Sequence, residues 1–84
     1  MPDEIEEAPL PEEDGMVHLP ALLAEGFGIS RSEARRLLGS GGVKFDGDAY
    51  TDGDLDVPAD RLDGAVVQLG KRRFKRFRRG ADNG

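Results

Sequence analysis

Apolar residues recur at helical spacing in two short stretches. In LPALLAEG, Leu19, Leu22 and Leu23 fall at i, i+3 and i+4 and form one stripe on a helix. Pro20 suits the first helical position, where its missing N–H costs nothing. Gly26 suits a left-handed stop, with Phe27 folding back over the last turn. In SRSEARRLLGSGG, Ala34, Leu37 and Leu38 make the second stripe. Ser30 and Glu33 have the spacing of a capping box, and Gly39, Gly41 and Gly42 end the helix. Arg31 and Arg35, four apart, border the stripe, and Arg36 points further out. The period then drops to two: Val43 and Phe45 face one way, Lys44 and Asp46 the other. Asp46-Gly47 is a hairpin signal. Residues 51–64 read as an aspartate-rich loop with one turn of helix after Pro58. AVVQL reads as a further strand. Gly70 is a bulge or a turn, and KRRFKRFRR follows it. If that segment is a strand, Phe74 and Phe77 project to opposite faces, and Phe74 is the one expected in the core.

The chain has 84 residues, 37% apolar and 35% charged, so it holds one domain at most, with a small core. A domain of this size buries only about 60% of its unfolded surface. It has no cysteine to add a disulfide or a thiolate metal site. The lone histidine, His18, excludes a multi-histidine metal centre and reads as a surface or staple residue. No apolar run approaches the ~18 residues of a membrane span, and the acidic N-terminus is unlike a signal or transit peptide. A soluble, cytoplasmic protein with no membrane partner is the expectation.

Charge changes the picture more than composition does. The formal net charge is −5, but residues 1–15 carry seven acids and no base, and residues 71–79 carry seven bases and no acid. The chain without its first fifteen residues holds twelve bases against ten acids, a balance of +2. Whole-chain acidity therefore does not exclude a polyanionic partner. Residues 1–15 also contain Pro2, Pro9 and Pro11 and have little to bury, so they read as an acidic disordered linker, of the kind that joins a domain to a preceding one. Residues 16–79 form the foldable domain, and residues 80–84 a flexible tail.

Two segments carry candidate chemistry. The start of the second helix presents free N–H groups and a positive dipole end, with the Ser30 and Ser32 hydroxyls and the forked guanidinium groups of Arg31 and Arg35 beside them. That set fits a phosphate, and it equally fits an ordinary capped, solvated helix. KRRFKRFRR clusters cations with interleaved aromatic rings, which suits phosphate neutralisation and base stacking, or a solubilising tail. The aspartates at 52, 54, 56 and 63 occupy EF-hand positions, but Val57 stands where the loop needs glycine, so a solvated loop is expected and no metal. The glycines near 39–42 lack the Lys-Ser/Thr of a phosphate loop. No catalytic constellation and no cofactor site is expected.

The segment SRSEARRLLGSGGVKFDG resembles the RNA-binding domain named after small-subunit ribosomal protein four, the S-four domain, with Asp46 where that family usually has asparagine. Within that superfamily, SRSEARRLL running into GGV, the ending LDGAVVQLGKRRFKRF and the acidic proline-containing leader are similar to the C-terminal domain of bacterial tyrosyl-tRNA synthetases. The resemblance covers residues 16–79. It implies an α+β S-four (alpha-L) fold, two short helices packed on a small, mostly antiparallel sheet. It also implies a module that holds tRNA(Tyr) around its long variable arm and anticodon stem. The HIGH-like and KMSKS-like signatures of the catalytic domain are absent from these residues, so this chain alone is not expected to activate tyrosine. The matched positions are Ser30, Arg31, Ser32, Arg35 and Arg36 on the helix, Lys44 on the next strand, and Lys71, Arg72, Arg73 and Lys75 in the closing segment. All are expected to position phosphates, not to read bases. The isolated domain is expected to be a monomer and the parent enzyme a homodimer. An S-four module of an rRNA-modifying or ribosome-associated protein, and a charge-driven protein-interaction module, are the alternatives.

Overall fold

The computed structural model describes residues 5–80. Two sheets and three helices make up an α+β fold. The larger sheet contains β1 (Glu6–Pro9), β4 (Val43–Phe45), β5 (Asp48–Ala49), β7 (Val66–Leu69) and β8 (Arg73–Arg78), in the order β1-β8-β7-β4-β5. It is antiparallel except where β1 runs parallel to β8, with Glu6 opposite Lys75 and Pro9 opposite Arg78. The smaller sheet is antiparallel, with β2 (Glu12–Glu13), β3 (Met16–His18) and β6 (Asp56–Pro58) in the order β2-β3-β6. The helices are α1 (Leu19–Phe27), α2 (Arg31–Ser40) and α3 (Ala59–Leu62). None among the described residues is long and apolar enough to cross a membrane.

Both main helices form where the apolar spacing put them. Leu19, Leu22 and Leu23 are fully buried, and α1 begins on the Leu19 N–H donating to the Leu55 carbonyl at 2.7 Å. Its end lies two residues beyond the expected stop. Gly28, with φ of 72°, takes the left-handed cap, and its N–H donates to Ala24. Gly26 stays helical for a different reason. A Cβ there would come within 2.5 Å of the Phe77 ring, so glycine is what lets that ring lie against the helix. In α2, the Ser30 hydroxyl accepts from the Glu33 N–H at 3.1 Å, one half of the capping box. The Glu33 carboxylate turns instead to Arg36.

The hairpin between β4 and β5 turns on Asp46 and Gly47, both at positive φ (52° and 92°), as a type I′ turn requires. The Asp46 carboxylate also accepts from the Val66 N–H at 3.0 Å, tying the turn to β7. Val43, Val67, Leu69 and Phe77 point from the large sheet into the core shared with Leu22, Leu23, Ala34 and Leu38. The core phenylalanine of β8 is therefore Phe77, only 1% exposed, and not Phe74. Phe74 lies on the opposite face, half-buried and outside the core. The alternation is unbroken from Arg73 to Arg78, and the Phe77 ring fits at Gly26, packed edge-on against Phe27 with centroids 6.3 Å apart.

The acidic leader also departs from expectation. Instead of a disordered linker over residues 1–15, the described part forms two strands. β1 extends the large sheet, Leu10 is buried in the core, and Asp14-Gly15, again at positive φ, turns β2 into β3. Proline and exposed charge are tolerated because β1 is an edge strand with one side unpaired. Residues 1–4 of the leader, and the expected flexible tail beyond Gly80, lie outside the described residues.

Two substitutions test this packing by thermal or urea unfolding. Leu10→Ala is expected to cost about 2–5 kcal/mol, as for a core leucine; a midpoint equal to the parent's would return the leader to disorder. Gly26→Ala is expected to destabilise by about 1–3 kcal/mol through overpacking, despite alanine's better helix propensity. In a Phe77→Leu background the same change is expected to be neutral or stabilising, and an equal cost in both backgrounds would remove the ring from the explanation.

Candidate nucleic-acid interface

The first cluster sits on α2. Ser30 is its cap, and Arg31, Ser32, Arg35 and Arg36 are all exposed. Arg31 and Arg35 are one turn apart, which brings their side chains onto the same flank. Neither makes an ion pair or a hydrogen bond among the described residues. Arg36 is held by Glu33 in a two-point ion pair, with Nε to Oε1 at 3.2 Å. That hydrogen bond and the adjacent negative charge raise the Arg36 pKa above the usual guanidinium value. Arg31 also lines an open groove of about 560 Å³ whose other walls include Glu12, Glu13, Asp14 and Glu25. Acidic side chains therefore share the groove with Arg31, which Arg35 does not line.

The second cluster divides by position along β8. The turn Gly70–Arg72 leads into the strand, and Lys71 and Arg72 are exposed and unpaired among the described residues. Arg73 donates to the Phe27 carbonyl, and Lys75 Nζ donates to the Gly26 carbonyl at 2.6 Å. Both cations also lie over the Phe27 ring, 5.3 and 5.9 Å from its centroid. They therefore satisfy the open carbonyls at the negative end of α1. The expectation that Arg73 and Lys75 are simply phosphate ligands overlooked this structural use.

These contacts tie the basic turn to the chain on either side of α2. The Gly70 N–H donates to Gly42 just beyond the end of α2, and Arg73 reaches Phe27 just before its start. The basic turn is thus fastened at both flanks of α2. Lys44 is separated from this group. It pairs with Gln68 on the face of the sheet that also bears Phe74, Arg76 and Arg78, away from the helices.

The leader supplies counter-charge at the far end of β8. Glu7 pairs with Arg78 at 3.2 Å, and Glu12 holds Arg79 through two hydrogen bonds, 2.9 and 3.1 Å, with Asp60 on the same guanidinium. Those partners, Glu12 first, raise the Arg79 pKa. His18 Nδ1 lies 2.9 Å from Asp56 at the start of α1, and no three metal-binding side chains converge among the described residues. The sequence reading had no signal for the roles of Arg73, Lys75 and Arg79, since their partners lie 46, 49 and 67 residues away.

Unfolding measurements separate the structural cations from the free ones. Lys75→Met is expected to cost about 1 kcal/mol through the lost charged cap. Lys71→Ala and Arg72→Ala are expected to stay within about 0.5 kcal/mol of the parent. A Lys75→Met midpoint in urea equal to the parent's would remove the cap.

No protein-family model matches the chain. Curated relatives do. The chain is 43% identical over 78 residues to the tyrosine–tRNA ligase of Moorella thermoacetica, a match covering 92% of this chain and 18% of the ligase. It is 45% identical over 77 residues to that of Geobacter metallireducens and 40% identical over 77 residues to that of Thiobacillus denitrificans, in each case 90% of this chain and 19% of the ligase. Nearly the whole chain is thus similar to one part of tyrosine–tRNA ligases, and it spans less than a fifth of their length.

Proposed function

We propose that the chain is an S-four-type RNA-binding module, the C-terminal tRNA-holding part of a tyrosine–tRNA ligase working in the cytoplasm, with no catalytic role of its own. The observation that carries this reading is the arrangement around α2. Arg31 and Arg35 stand unpaired on one flank of its first two turns, and the turn carrying Lys71 and Arg72 is tied to Gly42 just beyond its end. Forked guanidinium groups at a helix N-terminus suit phosphate oxygens. Cations anchored by their backbone, with side chains free, suit the wide, shape-read surface of a folded RNA. Similarity to tyrosine–tRNA ligases supports tRNA(Tyr) as that RNA; its long variable arm and anticodon stem are the regions this proposal assigns to the contact.

The acid–base pairing between the leader and Arg78 and Arg79 is internal to this chain. It gives two of the leader's seven acids and two of the seven bases of residues 71–79 partners within the chain, which weakens the charge-driven interaction reading.

Binding of the 84-residue chain to tRNA(Tyr) tests the proposal. Affinity is expected to fall with salt at a log–log slope of about −0.7 to −0.9 per phosphate neutralised. Arg31→Ala with Arg35→Ala is expected to lower affinity and flatten the slope by about 1.4–1.8. A tRNA without a long variable arm and a fragment of ribosomal RNA are expected to bind more weakly. Parent-like binding by the double variant would displace the site from α2, and preference for the ribosomal fragment would change the parent protein.

A further inference from the structure

The outer face of the large sheet carries a second feature that the α2 surface does not use. Alternation along β8 puts Phe74, Arg76 and Arg78 there, with Val66 and Gln68 from β7 and Lys44 from β4 alongside. Phe74 is only half-buried and does not pack against the core. It borders a cavity of about 230 Å³ lined by Asp46, Gly47, Val66, Gln68 and Arg76, all from the sheet and its hairpin turn. Arg76 lines this cavity, and its Nε atom is buried without a hydrogen-bond partner. A buried, unpaired guanidinium nitrogen is costly and is ordinarily satisfied by something.

Two further observations limit what the occupant is. The Gln68 amide nitrogen already donates to Gly70 and Lys71 at 3.1 and 3.3 Å, so this face is tied directly to the basic turn. The same Phe74 also lines the groove formed by Arg72, Arg73 and Lys75, and β1 joins β8 only from Lys75 onward, leaving the edge beside Phe74 open. Arg72 and Arg76 share these grooves with the ring, and Lys44 lies on the same face two strands away. The single acid in the cavity, Asp46, has one carboxylate oxygen occupied by the Val66 N–H. The volume is below the roughly 300–1,000 Å³ of a drug-sized ligand site. An apolar planar floor, a guanidinium edge, one free carboxylate oxygen and a surrounding of cations match a heterocyclic base with its phosphate, and match an apolar peptide side chain poorly.

We infer that the Phe74–Arg76 cavity receives one unpaired nucleotide of the bound RNA. The base stacks on Phe74, its edge meets Arg76 and Asp46, and its phosphate lies toward Lys44 or the Lys71–Arg72 turn. The inference rests on the RNA-binding reading above, but the base is held on the opposite face of the sheet from α2, by residues that reading does not use.

The experiment compares the 84-residue parent with Phe74→Leu, Phe74→Trp and the Arg31→Ala/Arg35→Ala variant. Each is titrated with tRNA(Tyr) and with a short unstructured oligoribonucleotide. Stacking of one base predicts that Phe74→Leu weakens both by at least about fivefold, with the salt slope unchanged, while Phe74→Trp retains affinity. NMR of the parent is expected to show the Phe74 ring and Gln68 amide resonances shifting on addition of the oligonucleotide, a readout independent of any variant's stability. Parent-like binding of both RNAs by Phe74→Leu, or unmoved ring resonances, overturns the inference and leaves the α2 reading intact. Loss of binding in Phe74→Leu with none in the arginine variant overturns the α2 site and supports this one. Failure of the parent to bind either RNA defeats both.

Discussion

The fold depends on how β8 meets the end of α1. Phe77 lies against the helix at Gly26, the one place where the backbone has no Cβ to exclude it. Two and four residues earlier along the same face, Lys75 and Arg73 extend to the Gly26 and Phe27 carbonyls and lie over the Phe27 ring. Apolar burial and charged capping therefore act on the same turn of helix from a single strand. Burying the ring contributes on the order of 2–3 kcal/mol. The two cations add less each, but they neutralise the helix end where its unpaired carbonyls concentrate. Register follows as a consequence. Sliding β8 by one residue would exchange Phe77 for a charged neighbour in the core and withdraw both caps together.

That constraint also fixes which cations remain for a polyanion. Strand alternation assigns Arg73 and Lys75 to the helix side, where they have intramolecular partners, and Arg76 and Arg78 to the outer side. Lys71 and Arg72 before the strand and Arg79 after it escape the alternation, and Arg79 is paired with Glu12 and Asp60. The turn before the strand is held by Gly70 against Gly42, so Lys71 and Arg72 project from an anchored backbone. Such an arrangement suits phosphates. The backbone geometry sets where the charge is, and long side chains can adapt to the local path of a polyanion.

The sequence made the helices legible because three apolar positions at helical spacing in each left one choice of buried face. It made the Asp46-Gly47 hairpin legible because few residue pairs accept two successive positive φ values. The identical signal at Asp14-Gly15 was present in the leader, yet the surrounding acids and prolines concealed it. An edge strand pairs through its backbone, so its side chains carry no periodic apolar record, and Leu10 is a single buried residue with no partner in spacing. β6 was hidden for a similar reason, since only Val57 of its three residues is buried. Phe74 and Phe77 were recognised as facing opposite ways. The choice between them required knowing where Gly26 would lie, and that information sits some fifty residues upstream. For the α2 site, capping and charge were local and readable. The division of the basic segment into structural and free cations was not, because each partner arrives through tertiary contact.

The leader's place in the sheet alters the meaning of the net charge. Seven acids in residues 1–15 would, on a disordered tail, compete with RNA for every cation within reach, weakly and without selectivity. Ordered as β1 and β2, Glu7 and Glu12 are directed to Arg78 and Arg79 at the end of β8 remote from the basic turn. Glu13 and Asp14 line the groove beside Arg31. The acidic charge thus becomes positional. It neutralises one end of the strand, tempers one side of the α2 opening, and leaves Arg35, Lys71, Arg72 and Lys44 without acidic partners among the described residues. A polyanion approaching this protein meets attraction over a restricted area and repulsion beside it. Orientation is then specified by where the negative charge has been fixed as much as by where the positive charge is free.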